Sequence, residues 1–324
     1  MTARARRAGR SGPRPSGIVT LLTDFGLDDP YVGAVKGVLL GINPAARLVD
    51  LTHAVPAQDI LRGALALDAA YRFFLPGTVH LAVVDPGVGG ARRPLAVLAD
   101  GHYFVGPDNG LFGFLFERRG ATAVALANPA YHRPAPSRTF HARDVFAPVA
   151  GYCSRGVPLA WLGPRVRDPV RLSWPRPRRA GGRVVGQVLL ADRFGNLLTN
   201  VTPADLPGPA ARCAVEVGGA RIEGLVGAYG ERPRGSPGAL VDSSGRIEIF
   251  VREGSARERL GIGPGAPVSF SSKSRSWPRP SRTRSSPPSS PFRRSTRSGS
   301  RWSPGSRPSS PPRPPSSGPR RDSR

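Results

Sequence analysis

Apolar and polar positions change rhythm along this chain, and the changes divide it. Residues 17–23 and 78–84 are almost unbroken apolar runs, 47–52 is a shorter one, and between them apolar residues recur three and four apart. Unbroken runs suit strands covered on both faces, and the 3.6-residue spacing suits helices. The pattern predicts strands over 17–23, 47–52 and 78–84. It also predicts a helix over 31–42, with Val32, Val35 and Leu39 on one stripe and Asn43-Pro44 as its stop, and a second helix over 60–74. Asp100-Gly101 joins the apolar stretches 95–99 and 102–105 as a hairpin signal, so a mostly parallel sheet should also hold antiparallel strands. A short helix is predicted over 145–153 despite Pro148.

After residue 165 the rhythm breaks. Residues 166–182 are rich in Pro and Arg and suggest a linker, and beyond it only short strands recur, over 183–191, 196–201, 214–217, 246–251 and 266–270. Their Gly-rich connections suggest a small antiparallel barrel or sandwich. The expected architecture is an α/β N-terminal domain over 17–165 with a mostly parallel mixed sheet, then a β-barrel C-terminal domain over 183–270. No internal repeat is visible.

Charge changes the picture only at the ends. The chain carries +25, but residues 1–16 hold five Arg and no acid, and 271–324 hold fourteen Lys or Arg against one acid. The middle 254 residues therefore carry only +7, which gives no ground for a specific nucleic-acid partner. The last 54 residues contain nineteen Ser and twelve Pro and cannot bury a core, so both ends are expected to be disordered. Lys is confined to Lys36 and Lys273, which suggests a GC-rich gene, and the abrupt change after Phe270 fits either a shifted reading frame or a genuine appendage. Cys153 and Cys213 lack metal-ligand spacing and are expected to be reduced thiols. No apolar run reaches eighteen residues, and Asp24 interrupts the first apolar run, so neither a membrane span nor a secretory signal is expected. A cytoplasmic protein is the expectation, with a transit peptide left open on composition.

Four clusters could carry chemistry, three of them just beyond an apolar strand, where open α/β sheets gather their ligands. Thr23-Asp24-Phe25-Gly26 closes the first strand with a carboxylate able to take two ribose hydroxyls, although an Asx turn explains the same residues. Asp85-Pro86-Gly87-Val88-Gly89-Gly90-Ala91-Arg92-Arg93 follows the strand 78–84 and offers a polarised Asp–Arg pair or simply a glycine turn. It is not a dinucleotide fingerprint, because the glycine spacing is wrong. His141 stands in Thr139-Phe140-His141-Ala142-Arg143-Asp144 among ionisable neighbours. Asp192-Arg193-Phe194-Gly195-Asn196 offers an amide for a purine edge and a ring for stacking, or a tight turn between strands.

Together, TDFGLDDPYVGAVKG, VDLTH, DPGVGGARR, GPDNG, TFHARD, DRFGNLLTN and DSSGRIEIFVREGSA, in this order over residues 17–270, resemble the S-adenosylmethionine hydroxide adenosyltransferases. That family is related to the fluorinase and chlorinase. The resemblance implies an α/β domain followed by a barrel, and a homotrimer whose sites lie between subunits. It implies a catalytic set of Asp85, Arg92 and His141, with Asp24 on the ribose. It further implies Asn196 and Phe194 in the ligand pocket, Asp192 toward the methionine amine, and Tyr229 against adenine. Ser243 and the stretch 248–254, with Glu248 and Val251, would line the remainder. The implied reaction is hydrolysis of S-adenosylmethionine, as substrate and with no cofactor or metal, to adenosine and methionine. Whether Asp85 or His141 is the base stays open. A halogenase is the nearest rival, and a carboxylate at Asp85 would repel a bare halide. A non-catalytic S-adenosylmethionine or adenosine sensor is the rival from another class.

Overall fold

A computed structural model describes residues 12–118 and 120–272. Its first sheet has seven strands in the order β2-β1-β3-β5-β4-β6-β7. Strands β1 (Ile18–Thr23), β2 (Arg47–Thr52), β3 (Val79–Val83) and β5 (His102–Pro107) pair in parallel. Strands β4 (Pro94–Ala99), β6 (Thr122–Ala125) and β7 (Arg165–Val166) add an antiparallel flank. The sheet is mixed, as the Asp100-Gly101 hairpin implied, and its antiparallel part extends beyond that hairpin through β6 and β7.

Strand alternation sends side chains to two separate cores. Val19, Leu21, Val79, Leu81 and Val83 meet helices α1 (Tyr31–Ile42) and α3 (Ala147–Ser154) on one face. Leu22, Ala82 and Val84 meet helix α2 (Ile60–Ala70) on the other. Helix α1 buries Val32, Val35 and Leu39, the stripe that periodicity picked out. The helix expected over 60–74 stops at Ala70 and tightens into a 3₁₀ turn over Tyr71–Phe73. The tightening carries Tyr71 into the core, where its hydroxyl donates to Asp100 Oδ2 at 2.7 Å.

The second sheet is wholly antiparallel and nearly closes into a barrel, in the order β12-β11-β15-β9-β10-β14-β13. The strands are β9 (Arg183–Ala191), β10 (Leu197–Thr199), β11 (Cys213–Val217), β12 (Ala220–Glu223), β13 (Pro237–Val241), β14 (Ile247–Val251) and β15 (Pro267–Ser272). Strands β12 and β13 escape the sequence pattern: only Ile222 of β12 is buried, and β13 opens with Pro-Gly, tolerated at the start of an edge strand.

Two expected features need correction. Residues 12–16, expected to be disordered with the rest of 1–16, run against the sheet. Ser16 N–H donates to Gly77 O at 3.1 Å and Tyr103 Oη donates to Pro13 O at 2.9 Å. The stretch read as a Pro/Arg linker holds more structure than a link: Val166 lies in β7, Leu172 and Trp174 pack on the second core, and β8 (Arg178–Ala180) pairs with β9. Three apolar anchors suffice there, and the surrounding Pro and Arg conceal them. The expectations for residues 1–11 and from 273 onward lie outside the described residues. Cys153 and Cys213 are buried free thiols, and among the described residues no helix is long and apolar enough to cross a membrane.

His80 is fully buried, with Nδ1 2.7 Å from Thr20 Oγ1, Nε2 3.2 Å from His102 Nδ1, and its ring stacked on Phe104. Burial, with a smaller repulsion from His102, takes its pKa from 6.5 down to about 3. Below pH 6.5 the unfolded chain protonates this ring while the folded chain leaves it neutral, so acid favours unfolding. Stability should therefore fall as pH drops from 6.5 toward about 3, by on the order of 4 kcal/mol over the span. Denaturant titrations across that range should show the decline, and His80→Gln should flatten it. A variant with an unchanged slope would assign the acid sensitivity to other groups.

Candidate active site

The parallel strands β1 and β3 deliver Asp24 and Asp85 to the same end of the sheet. Each carboxylate follows the carboxyl end of its strand, the position at which open α/β sheets bind ligands. Asp85 accepts hydrogen bonds from Arg92 Nε at 2.9 Å on both oxygens, and Arg92 Nη2 also pairs with Oδ2. The two side chains are 5% and 8% exposed, so this is a desolvated fork rather than a surface pair. Gly89 makes the loop compact: its φ is +73°, and a Cβ there would collide with the carbonyl of Arg138. The absence of that atom lets the loop after β3 press against the segment leading to His141.

His141 opens a widened, π-helical turn over Ala142–Phe146 that runs into α3. Pro148 stands in the first turn of α3, where its missing N–H does no harm. Arg92 Nη2 lies 2.9 Å from His141 Nδ1, so one guanidinium holds both partners. Guanidinium only donates, hence Nδ1 accepts and the ring proton of a neutral His141 is on Nε2. Burial and then Arg92 lower the His141 pKa, with Asp85 and Asp144 opposing. Asp144 is buried and held below the ordinary carboxylate range, chiefly by its hydrogen bonds from Arg143.

Asp24, Phe25, Tyr31, Gln58, Asp85 and His141 are among the residues lining one cavity of about 640 Å³. Phe25, Tyr31 and Phe140 meet edge to face, with centroids 5.3–6.2 Å apart, and form an apolar wall to it. Among the described residues no group of three or more His, Cys, Asp or Glu side chains is placed to hold a metal ion.

The barrel residues are elsewhere. Asp192 Oδ1 accepts the N–H groups of Phe194 and Asn196, both at 2.8 Å, and Oδ2 accepts Asn196 Nδ2 at 3.1 Å. This is the tight turn that spacing allowed, and most of the Asp192 carboxylate is engaged in it. Gly195, at φ +81°, fits because a Cβ would strike Ser255. Phe194 is 75% exposed on the turn. Tyr229 donates its hydroxyl to Glu248 Oε1 at 2.8 Å and packs edge-on against Phe250. Burial raises the Glu248 pKa and pushes Tyr229 up to about 12. Asp192 and Ser243 line a separate cleft of about 360 Å³ facing Arg62 and Arg72. Val251 buries its side chain in the barrel core.

The chain matches the models of the SAM hydroxide adenosyltransferase N-terminal domain over residues 19–163 and C-terminal domain over 186–269. It belongs to that family. A Thermus thermophilus protein named (R)-S-adenosyl-L-methionine hydrolase is 45% identical over 258 residues, covering 77% of this chain and 98% of the relative. A Salinispora tropica protein of the same name is 39% identical, covering 78% and 96%. A fluorinase from Actinoplanes sp. is 29% identical over 58% of this chain and 73% of its own length. Among solved structures, a conserved Thermotoga maritima protein superposes with TM-score 0.74 at 33% identity, covering 78% of this chain and 99% of that one.

Within this SAM hydroxide adenosyltransferase chain, then, Asp24, Asp85, Arg92 and His141 converge, while Asp192, Phe194, Asn196, Tyr229, Ser243 and Glu248 stand outside their cavity. Sequence reasoning missed Phe25, Tyr31, Gln58 and Phe140 as lining residues. Gln58 lies in the loop after β2, well beyond Thr52 at the strand's end, so the strand-end rule that located Asp24 and Asp85 does not reach it.

Replacing Arg92 with Gln removes a cation from beside His141, so the ring should titrate at higher pH than in the unaltered protein. Ring proton or nitrogen resonances followed against pH will read this directly. An unchanged or lower midpoint would mean that Arg92 does not hold His141 neutral.

Proposed function

We propose that this protein hydrolyses S-adenosyl-L-methionine to adenosine and L-methionine. The observation that carries the reading is the Asp85–Arg92–His141 chain of hydrogen bonds, whose two ends, Asp85 and His141, line the cavity that Asp24 also lines. The substrate is taken as the R form that the relatives' names specify. Since L describes the α-carbon, R describes the sulfonium.

A water oxygen bonds to C5′, the C5′–S bond breaks, and its electron pair stays on sulfur. Methionine leaves as a neutral thioether, so the departure needs no general acid, and the reaction releases one proton from the attacking water. Asp85, negative and adjacent to the cationic centre, orients the water and receives that proton as the O–C5′ bond forms. His141 is poorly placed to be the base, because Arg92 occupies its Nδ1 lone pair and Nε2 already carries hydrogen. Its role is to donate a hydrogen bond and to hold Arg92 in place. The same carboxylate disfavours halide as nucleophile. The reaction as written draws on no cofactor.

The assembly that suits this chemistry is a homotrimer in which a neighbour's barrel covers each cavity. In support, Phe194 and Tyr229 are 75% and 47% exposed and lie outside the cavity of their own chain. Asn196, Glu248 and Ser243 would arrive with them.

In Asp85→Asn, kcat should fall by about 10²–10⁴-fold while KM stays within about threefold, because the amide keeps the shape and loses the charge. In oxygen-18 water the unaltered protein should place label on the 5′ oxygen of adenosine. Full turnover in Asp85→Asn would remove Asp85 from the mechanism, and absence of adenosine would leave only a binding protein. Asp85→Asn mixed with Asn196→Ala should regain activity after subunit exchange, since some sites then combine two intact halves. No recovery despite exchange proven by mass would argue that each chain builds its own site.

A further inference from the structure

Gln58 is the residue at the cavity whose backbone is least at ease. Its φ is +67°, a left-handed conformation that a side-chain-bearing residue other than Asn or Asp seldom takes. Strain of this kind persists where the surroundings impose it, and glycine would relieve it. The surroundings are explicit. Val55 anchors one end of the loop in the core, and Asp59 caps helix α2 at the other by accepting Arg62 N–H at 2.9 Å. Between these anchors Gln58 N–H donates to Asp24 Oδ2 at 2.8 Å. The loop after β1 is tied to the same segment, since Gly26 N–H donates to His53 O at 2.9 Å and His53 Nδ1 stands 2.8 Å from Thr23 Oγ1. Gln58 also lines the cavity that Asp24 lines.

Hydrogen-bond stoichiometry turns this into a functional assignment. The vicinal diol of a ribose brings two O–H donors and four lone pairs. A carboxylate only accepts, so Asp24 satisfies the donors and leaves the diol lone pairs without a partner. A site that shuts out water must supply a donor for them. A neutral amide does so without placing another positive charge beside a sulfonium, and its geometry also allows it to accept.

We propose that Gln58 is a ribose-recognition residue of this enzyme. Its main-chain N–H positions the Asp24 carboxylate, and its side-chain amide donates to a ribose hydroxyl oxygen. The assignment rests on the proposed adenosyl substrate, but it concerns binding and is tested without turnover.

The probes are adenosine, 2′-deoxyadenosine and 3′-deoxyadenosine, titrated calorimetrically into the full chain and into two variants. Gln58→Gly keeps the main-chain N–H and suits the positive φ, so it should fold at least as well. Gln58→Glu keeps the size but, when ionised, cannot donate. Both variants should weaken adenosine by about tenfold, the scale of one hydrogen bond, and should weaken one of the deoxy analogues by less than about twofold. Equal losses on all three ligands would overturn the assignment, as would adenosine affinity unchanged in Gln58→Gly. Failure of the unaltered protein to bind adenosine would overturn it together with the hydrolase reading. Absence of turnover with the ligand-selective loss intact would overturn hydrolysis alone.

Discussion

The Arg92 guanidinium is the joint on which the α/β site depends. Its Nε and Nη2 grip Asp85, Nη2 also reaches Nδ1 of His141, and its planar carbon lies 5.2 Å from the centre of the Phe146 ring. A buried carboxylate without this partner would be an uncompensated charge, and the half-buried imidazole without it would be free to change tautomer. Lysine could neutralise Asp85 but could not reproduce the planar fork that holds two acceptors in fixed directions. One side chain thereby ties the loop after β3 to the turn before α3, segments about fifty positions apart in sequence.

The sheet provides what that joint needs. Parallel pairing of β1 with β3 aligns their carboxyl ends, so Asp24 and Asp85 emerge side by side without a long loop to carry either. The antiparallel flank has no comparable role at the cavity. Its hairpin instead builds the far side of the core, where His80, His102, Tyr71 and Asp100 form a polar network. Chemistry and packing are thus handled at different places in one sheet.

Much of this was legible in the residues. Val32, Val35 and Leu39 marked α1 by spacing, and the apolar run before Asp85 marked β3, because burial on both faces forbids polar interruptions. The short strands β12 and β13 were not legible, since each is held by its neighbours and carries little hydrophobic pattern of its own. Trp174 and Leu172 were hidden for a related reason: isolated anchors have no period. At the site, Asp85, Arg92 and His141 were found through ordered motifs, and their hydrogen bonds confirm their proximity. Gln58 was overlooked because its distinguishing property is a backbone angle, which side-chain type does not report.

The turn from Asp192 to Asn196 has an entropic consequence. Both N–H groups that flank Gly195 are bound to one carboxylate oxygen, and Gly195 itself is wedged beneath Ser255. The exposed ring of Phe194 therefore stands on a base that is already immobile. When such a ring is covered, only its own two side-chain torsions remain to be frozen, and almost none of the gain from desolvating it is spent on ordering the main chain. Rigidity of this turn would in this way strengthen whatever contact the barrel makes.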